Sequence, residues 1–218
     1  MMSLESLTLI RHPETEASVS GLLVGRSHSP YSAAGDEEAQ RISEWLLATR
    51  PAQVVVSPQA RAISPVLEAC RRSDAQLCVR VDPDIAEFDV GLAEGLAPEH
   101  AERRGLTSAS AWDDPATVPY AEGESVGSFI GRCERALTRL LSSEGPDACA
   151  VSHRGVIAVM LVILLGLPLE DLWELRLRPA RAARLEPGQG KWRLMAFDVL
   201  PDELDGASMP LNHEGDAG

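Results

Sequence analysis

Short apolar runs alternate with stretches of helical periodicity along the first part of the chain. Residues 7–10 and 54–56 are continuous apolar runs, which are typical of strands buried on both faces. Between them, apolar positions at Ile42 and Leu46, preceded by the capping residue Ser32, predict a helix. This succession of strand, helix and strand is the beginning of an α/β pattern.

The pattern continues and then loosens. A helix is predicted over residues 60–72, where Pro65 is acceptable only if it lies near the first turn. Residues 78–81 alternate like a third strand. Residues 82–124 follow no regular period, and irregular segments of this length often cover functional sites. We therefore expect this segment to lie over a binding pocket.

The last part of the chain returns to regular elements. The predicted elements are a helix over 125–141, a strand over 148–151, an apolar helix over 156–165 and a closing hairpin made by 181–185 and 192–197. Alternating strands and helices with continuous apolar strands predict an α/β fold, a three-layer sandwich in which helices flank a mostly parallel central sheet. We interpret residues 1–200 as one domain and 201–218 as an acidic, disordered tail.

Charge and cysteine content narrow the function classes. The chain of 218 residues has 20 basic and 33 acidic residues and a net charge of −13. This balance argues against nucleic acid and anionic membranes as partners. The start lacks the features of a signal peptide, and the four cysteines show no C-x-x-C pair or metal-ligand spacing. These features predict a cytoplasmic protein with reduced thiols.

Polar residues suited to phosphate follow three of the predicted strands. Arg11 and His12 follow the first, Ser57 and Arg61 the second, and His153 the fourth. Ligands of open α/β sheets bind beyond the carboxyl ends of the strands, and guanidinium groups grip phosphate oxygens. Each residue alone has an ordinary structural explanation, as a strand cap, a surface helix residue or a core histidine. Their equivalent positions favour one shared anion site.

Five segments in order resemble the histidine phosphatase superfamily, which includes the cofactor-dependent phosphoglycerate mutases and many small-molecule phosphatases. The opening L-I-R-H-P-E-T-E at residues 9–16 resembles the family's R-H-G-E-[ST] signature, and S-P-Q-A-R-A at 57–62 its S-S-P-L-x-R-A stretch. Three further segments are similar to family motifs: E-F-D-V-G-L-A-E-G at 87–95, G-E-S at 123–125 with Arg132, and V-S-H-R-G-V at 151–156.

The resemblance implies a role for each of these groups. His12 would be the nucleophile that accepts the phosphoryl group, and Arg11, Arg61 and His153 would hold its oxygens. Glu87 would protonate the leaving oxygen and then activate water. Ser18 and Gly25 are expected to contact the substrate. No metal and no cofactor are implied, because arginine and histidine supply the positive charge.

Four residues depart from the family motifs. Pro13 replaces the glycine after the nucleophile, and its carbonyl can still accept a hydrogen bond from His12 Nδ1. Ser18 replaces an asparagine and Ala93 a tryptophan, which predicts a roomier pocket. Arg154 replaces a glycine, which predicts an extra cation near the site or a salt bridge at its rim.

We therefore expect a metal-independent phosphomonoester hydrolase that acts on a small phosphorylated metabolite. A phosphoglycerate-type mutase is an alternative, although the stretch between Glu87 and His153 has few cations for a second anionic group. A catalytically weak protein that only binds a phosphorylated ligand is the other alternative. The substrate stays open. Dimers are common in the family, and no motif decides between a monomer and a homodimer.

Overall fold

A computed structural model describes residues 4–73, 76–107 and 117–204 of the chain. The six strands are β1 (Ser6–Arg11), β2 (Gln53–Val56), β3 (Val79–Val81), β4 (Asp147–Ser152), β5 (Ala182–Pro187) and β6 (Trp192–Val199). The α-helices are α1 (Glu16–Val19), α2 (Ala33–Thr49), α3 (Ala60–Arg72), α4 (Pro98–Arg103), α5 (Val126–Leu141) and α6 (Arg154–Leu165). Short 3₁₀ helices span Pro83–Ile85, Gly91–Ala93, Leu169–Trp173 and Pro201–Glu203.

The strands form one mixed sheet in the order β3-β2-β4-β1-β5-β6. Neighbours from β3 to β1 run parallel, whereas β5 and β6 continue the sheet as the predicted antiparallel hairpin. Arg11 pairs with Ser152 and Val56 pairs with Val151. The register therefore brings the carboxyl ends of β1, β2 and β4 to one edge of the sheet. The prediction of a mostly parallel sheet flanked by helices is confirmed.

Both faces of the sheet are buried, which explains the continuous apolar strands. Leu9 of β1 belongs to a core cluster with Phe129 of α5 and Met160 of α6. Its neighbour Ile10 points to the opposite side and joins a cluster with Ile42 of α2. Successive side chains of a strand alternate between faces, so a strand covered on both faces needs apolar residues at every position.

Helix α3 contains Pro65 in its second turn, deeper than the sequence led us to expect. Proline has no backbone N–H, so it cannot donate to the carbonyl of Arg61 one turn earlier. Tyr31 replaces the missing donor, because its hydroxyl donates to the Arg61 carbonyl at 2.8 Å. Burial raises the pKa of Tyr31 to about 12, so the hydroxyl keeps its proton. A hydrogen bond from another element thus makes the interior proline tolerable.

The packed chain extends beyond the expected boundary at residue 200. Pro201 is buried in the last 3₁₀ helix, and Leu204 is buried in the cluster beside α2 and α3. Burial of these two side chains holds residues 201–204 against the domain. Residues 205–218 lie outside the described residues, so the division into one domain and a disordered tail stays a prediction. Within the described part of the chain, no helix is long and apolar enough to cross a membrane.

Candidate active site

His12 follows β1 and is buried, with 5% of its surface exposed. Its Nδ1 donates a hydrogen bond to the carbonyl of Pro13 at 2.6 Å, as the sequence predicted. Burial, followed by the charges of Arg61 and Arg11, lowers the pKa of His12 well below its ordinary value. The ring is therefore neutral, with its proton on Nδ1 and a free electron pair on Nε2.

Arg11 and Arg61 are two of the three arginines that line the same pocket as His12. Arg11 ends β1 and donates to the carbonyl of Leu177 at 2.8 Å, while its buried Nε has no hydrogen-bond partner among the described residues. Arg61, in the first turn of α3, donates to the carbonyls of Gly25 at 2.7 Å and Ser27 at 2.9 Å. Burial lowers the pKa of Arg11 to about 10, so the group is still a cation at neutral pH. Two immobilised cations beside a neutral imidazole form an anion-binding site.

His153 caps α6 and lies directly against His12. The two ring centroids are 5.0 Å apart, and His153 Nε2 is 2.7 Å from the hydroxyl of Ser57. Burial and the neighbouring His12, Arg61 and Arg11 lower the pKa of His153 well below its ordinary value. The residue is fully buried and does not line the pocket. Its predicted contact with a phosphoryl oxygen stays a prediction.

Glu87 lies between two 3₁₀ helices and lines the same pocket as the cations. Its carboxylate accepts hydrogen bonds from the backbone N–H of Phe88 at 2.9 Å and of Gly155 at 3.4 Å. A Cβ on Gly155 would lie only 2.6 Å from Glu87 Oε1. The glycine therefore lets the carboxylate approach the N-terminus of α6, where the helix dipole favours negative charge.

Gln59 is a positioning residue that the sequence analysis missed. Its side-chain oxygen accepts from the backbone N–H of Glu87 at 2.9 Å, and its side-chain nitrogen donates to the carbonyl of Gly25 at 2.5 Å. Gly25 is also the anchor of Arg61. One amide thus connects the candidate proton donor to the candidate phosphate clamp. The sequence signal that could have identified Gln59 was a polar residue at the position where the related S-S-P-L-x-R-A stretch has leucine.

Arg132 also holds the segment around Glu87 in position, a role that its motif did not reveal. Its guanidinium donates to the carbonyls of Asp84, Ala86 and Glu87, the last at 2.9 Å, and pairs with Glu124 at 2.6 Å. Both charged side chains are nearly buried, at 8% and 11% exposed. A buried arginine requires several acceptors, and here the acceptors are the backbone of the segment that holds Glu87.

Ser18 and Gly25, the two expected substrate contacts, both line the pocket. The Ser18 hydroxyl also donates to the carbonyl of Thr15 at 2.7 Å as part of the cap of α1. Gly25 is buried, and a Cβ there would clash with the carbonyl of Phe88. Its carbonyl serves Arg61 and Gln59, so Gly25 contributes backbone that holds other side chains.

Of two of the four departures from the motifs, Ala93 differs from the expectation and Arg154 agrees with it. Ala93 is fully buried in the core and does not line the pocket, so it does not widen the site. Arg154 is exposed and lines the pocket, and within the described part of the chain it makes no ion pair. Of the two expectations for Arg154, the extra cation at the site is the one observed.

The irregular segment contributes to the pocket mainly through Phe88, Val90 and Tyr120. His100 and Arg103, on α4, are exposed and do not line the pocket, while Trp112 lies outside the described residues. Among the residues described, no group of three or more His, Cys, Asp or Glu could hold a metal ion. The arrangement offers a neutral imidazole, the three cations of Arg11, Arg61 and Arg154, and one carboxylate, which is a set of groups suited to phosphoryl transfer.

Comparison with known proteins agrees with this chemistry. The model of the histidine phosphatase superfamily (branch 1) matches residues 7–199. The adenosylcobalamin/alpha-ribazole phosphatase of Escherichia coli K12 is 32% identical over 173 residues, which cover 78% of this chain and 84% of that protein. The Proteus mirabilis protein named "Probable phosphoglycerate mutase GpmB" is 28% identical over 194 residues, covering 84% and 86%.

The fold is also similar to that of solved structures. The crystal structure of the alpha-ribazole phosphatase from Shigella flexneri superposes with a TM-score of 0.78 and 29% identity, covering 89% of this chain and 98% of that one. The similarity in fold therefore spans most of the chain, and the family model covers residues 7–199.

Proposed function

This chain belongs to the histidine phosphatase superfamily, and we propose that it hydrolyses the phosphate monoester of a small metabolite through a phosphohistidine on His12. One observation carries the proposal. The hydrogen bond from His12 Nδ1 to Pro13 leaves Nε2 unprotonated in a pocket that also contains Arg11 and Arg61. A relative named as a phosphatase that acts on alpha-ribazole supports hydrolysis.

In the first half-reaction, His12 Nε2 attacks phosphorus while the bond from phosphorus to the leaving oxygen breaks. Arg11 and Arg61 stabilise the charge on the remaining phosphoryl oxygens. Glu87 passes a proton to the leaving alkoxide in this step. The products of the step are an alcohol, a phosphohistidine and an ionised Glu87.

In the second half-reaction, Glu87 takes a proton from water while the water oxygen attacks phosphorus. The bond from phosphorus to His12 Nε2 breaks, so inorganic phosphate leaves and both residues return to their starting states. The backbone N–H groups of Phe88 and Gly155 hold the carboxylate in place. One carboxyl group can therefore serve as acid and then as base without moving.

Hydrolysis is favoured over a mutase reaction by the charges in the pocket. A mutase must hold a second anionic group of the substrate while it keeps water out. Among the described lining residues, Arg154 is the only cation besides Arg11 and Arg61, and it is exposed. A single exposed cation at the rim offers a second anion little more than a screened interaction.

We further propose that the protein acts in the cytoplasm. All four cysteines are free thiols in the structure, and Cys133 and Cys149 are buried. Reduced cysteines are usual in a reducing compartment. A homodimer, which is common in the family, stays a prediction.

The test is release of phosphate from para-nitrophenyl phosphate and from an alkyl phosphate, in the presence of EDTA. We expect His12→Ala to abolish release from both esters, whereas His100→Ala, a change of an exposed histidine outside the pocket, retains it. Glu87→Gln should slow the alkyl ester more, because nitrophenolate leaves without a proton. Mass spectrometry of the rapidly quenched protein should locate the phosphoryl group on the peptide that contains His12.

Full activity of His12→Ala would refute the phosphohistidine. Phosphate binding by calorimetry without turnover of any ester would instead favour the protein that only binds a phosphorylated ligand. Conversion of 3-phosphoglycerate into its 2-isomer without release of phosphate would favour the mutase.

A further inference from the structure

The phosphate pocket opens into a second, apolar pocket. The first has a volume of about 250 Å³ and the second of about 410 Å³. They share Phe129, Leu172 and Trp173 as common walls. The two are therefore neighbouring parts of one cleft, with most of the charged side chains at the His12 end and mainly apolar side chains along α5 and the 3₁₀ helix Leu169–Trp173.

Aromatic side chains form the junction between the two ends. The ring of Phe88 packs edge-on against Phe129, with centroids 5.0 Å apart, and against Tyr120 at 6.0 Å. Trp173 is 40% exposed on the other side of the cleft. Aromatic rings of a ligand gain from edge-to-face and offset contacts with such walls.

The apolar wall begins beside the candidate proton donor. A Cβ on Gly155 would lie 2.6 Å from Glu87 Oε1 and 3.3 Å from Phe129 Cζ, so the carboxylate and the ring edge flank the same glycine. A leaving oxygen protonated by Glu87 must lie next to that carboxylate. The group attached to the oxygen is then directed along Phe129 into the apolar pocket.

The charges along this path disfavour an anionic group. The described residues that line the apolar pocket include no cation, and their one charged member is Glu170. Glu170 is exposed, so its carboxylate would repel an acidic substituent only through a screened interaction, while the described lining side chains offer such a substituent no positive charge.

We propose that the substrate of this enzyme carries an uncharged aromatic body on the leaving oxygen, and that this body binds between Phe129 and Trp173. The inference rests on the proposed function and adds the class of leaving group. Small polar esters such as phosphoglycerate fill the phosphate end of the cleft and leave the apolar end to water.

The test compares three esters that all release a primary alkoxide: 2-phenylethyl phosphate, glycerol 3-phosphate and 3-phosphoglycerate. We expect kcat/KM for the aromatic ester to exceed the other two by at least about tenfold, the scale of one well-buried apolar group. Trp173→Ala should reduce this preference to about threefold or less. The control is Leu67→Ala on α3, which is 46% exposed and lies outside both pockets; it should retain the preference.

The outcomes separate this inference from the proposed function. Equal kcat/KM for the three esters, with His12→Ala inactive, would overturn the inference and leave the phosphatase in place. If no ester is hydrolysed, the proposed function is wrong and calorimetry decides the inference. Binding of 2-phenylethylphosphonate at least about tenfold tighter than methylphosphonate, with the difference lost in Trp173→Ala, would support it; equal binding would overturn it.

Discussion

Acidification should destabilise this protein through the two buried histidines of the site. His12 is 5% exposed and His153 is fully buried, their rings are 5.0 Å apart, and Arg11 and Arg61 are close by. Burial and these charges hold the pKa of both rings well below the ordinary value. Both rings are therefore neutral in the folded protein at pH values where an unfolded histidine is charged.

The sign and size follow from proton linkage. Below about pH 6.5 the unfolded chain binds a proton on each of these histidines and the folded chain does not, so stability falls as the pH falls. The loss continues until the folded pKa values are reached. Between about pH 7 and pH 5.5, each histidine that stays neutral in the fold lowers the free energy of unfolding by about 1.3 kcal/mol, and the pair lowers it by about 2.5 kcal/mol.

The assay is urea unfolding at both pH values in buffers free of phosphate, because a bound anion would stabilise the folded state. His12→Asn and His153→Gln should each remove about half of the pH-dependent loss, since each removes one titrating ring. His100→Gln, a change of an exposed histidine on α4, should leave the loss unchanged. If both site variants lose as much stability as the unmodified protein, the rings are not neutral in the fold and the reasoning fails.

Three further predictions concern the residues that hold the site together. Gln59→Leu should reduce kcat by about tenfold or more, because Glu87 and the phosphate clamp lose their shared amide, while Gln40→Leu on the exposed face of α2 should not. Arg132→Met should lower the free energy of unfolding in urea by about 3–5 kcal/mol, because the nearly buried carboxylate of Glu124 loses its partner. The control Arg135→Met, a change of an exposed arginine, should lower it by about 0.5 kcal/mol or less. Tyr31→Phe should cost about 1–2 kcal/mol by thermal unfolding, because it removes the donor to a carbonyl of α3.

Each of these three predictions has a result that would contradict it. Unchanged kcat and an unchanged pH profile in Gln59→Leu would show that the amide bridge does not position Glu87. Similar stability losses in Arg132→Met and Arg135→Met would mean that burial of the ion pair is unimportant. A Tyr31→Phe protein as stable as the unmodified one would show that the helix tolerates its proline without outside help.

Much of the fold follows from local sequence patterns. The apolar strand runs, the cap at Ser32 and the break before Pro51 each act within a few residues, so the helices and strands fall close to their predicted positions. Pro65 is the exception. Its position inside α3 depends on a hydroxyl from residue 31, and no local pattern shows a contact between elements that are distant in sequence.

For the site, the sequence predicted that His12, Arg11, Arg61, His153 and Glu87 act together, and the structure places His12, Arg11, Arg61 and Glu87 around one pocket; their catalytic roles stay predictions. The expectation that the Pro13 carbonyl can accept a hydrogen bond from His12 Nδ1 agrees with the 2.6 Å contact in the structure. Only the tertiary structure decided that His153 is fully buried and hydrogen-bonded to Ser57, and that Ala93 belongs to the core.

The tertiary structure alone also showed which residues hold the site residues in position. The bridging amide of Gln59, the buried Arg132 and the apolar cleft beside Glu87 bring together residues that are between 28 and 68 positions apart. Residue type and local spacing determine what a side chain can do chemically. Which groups it meets depends on how helices and strands pack, and packing is a property of the whole chain.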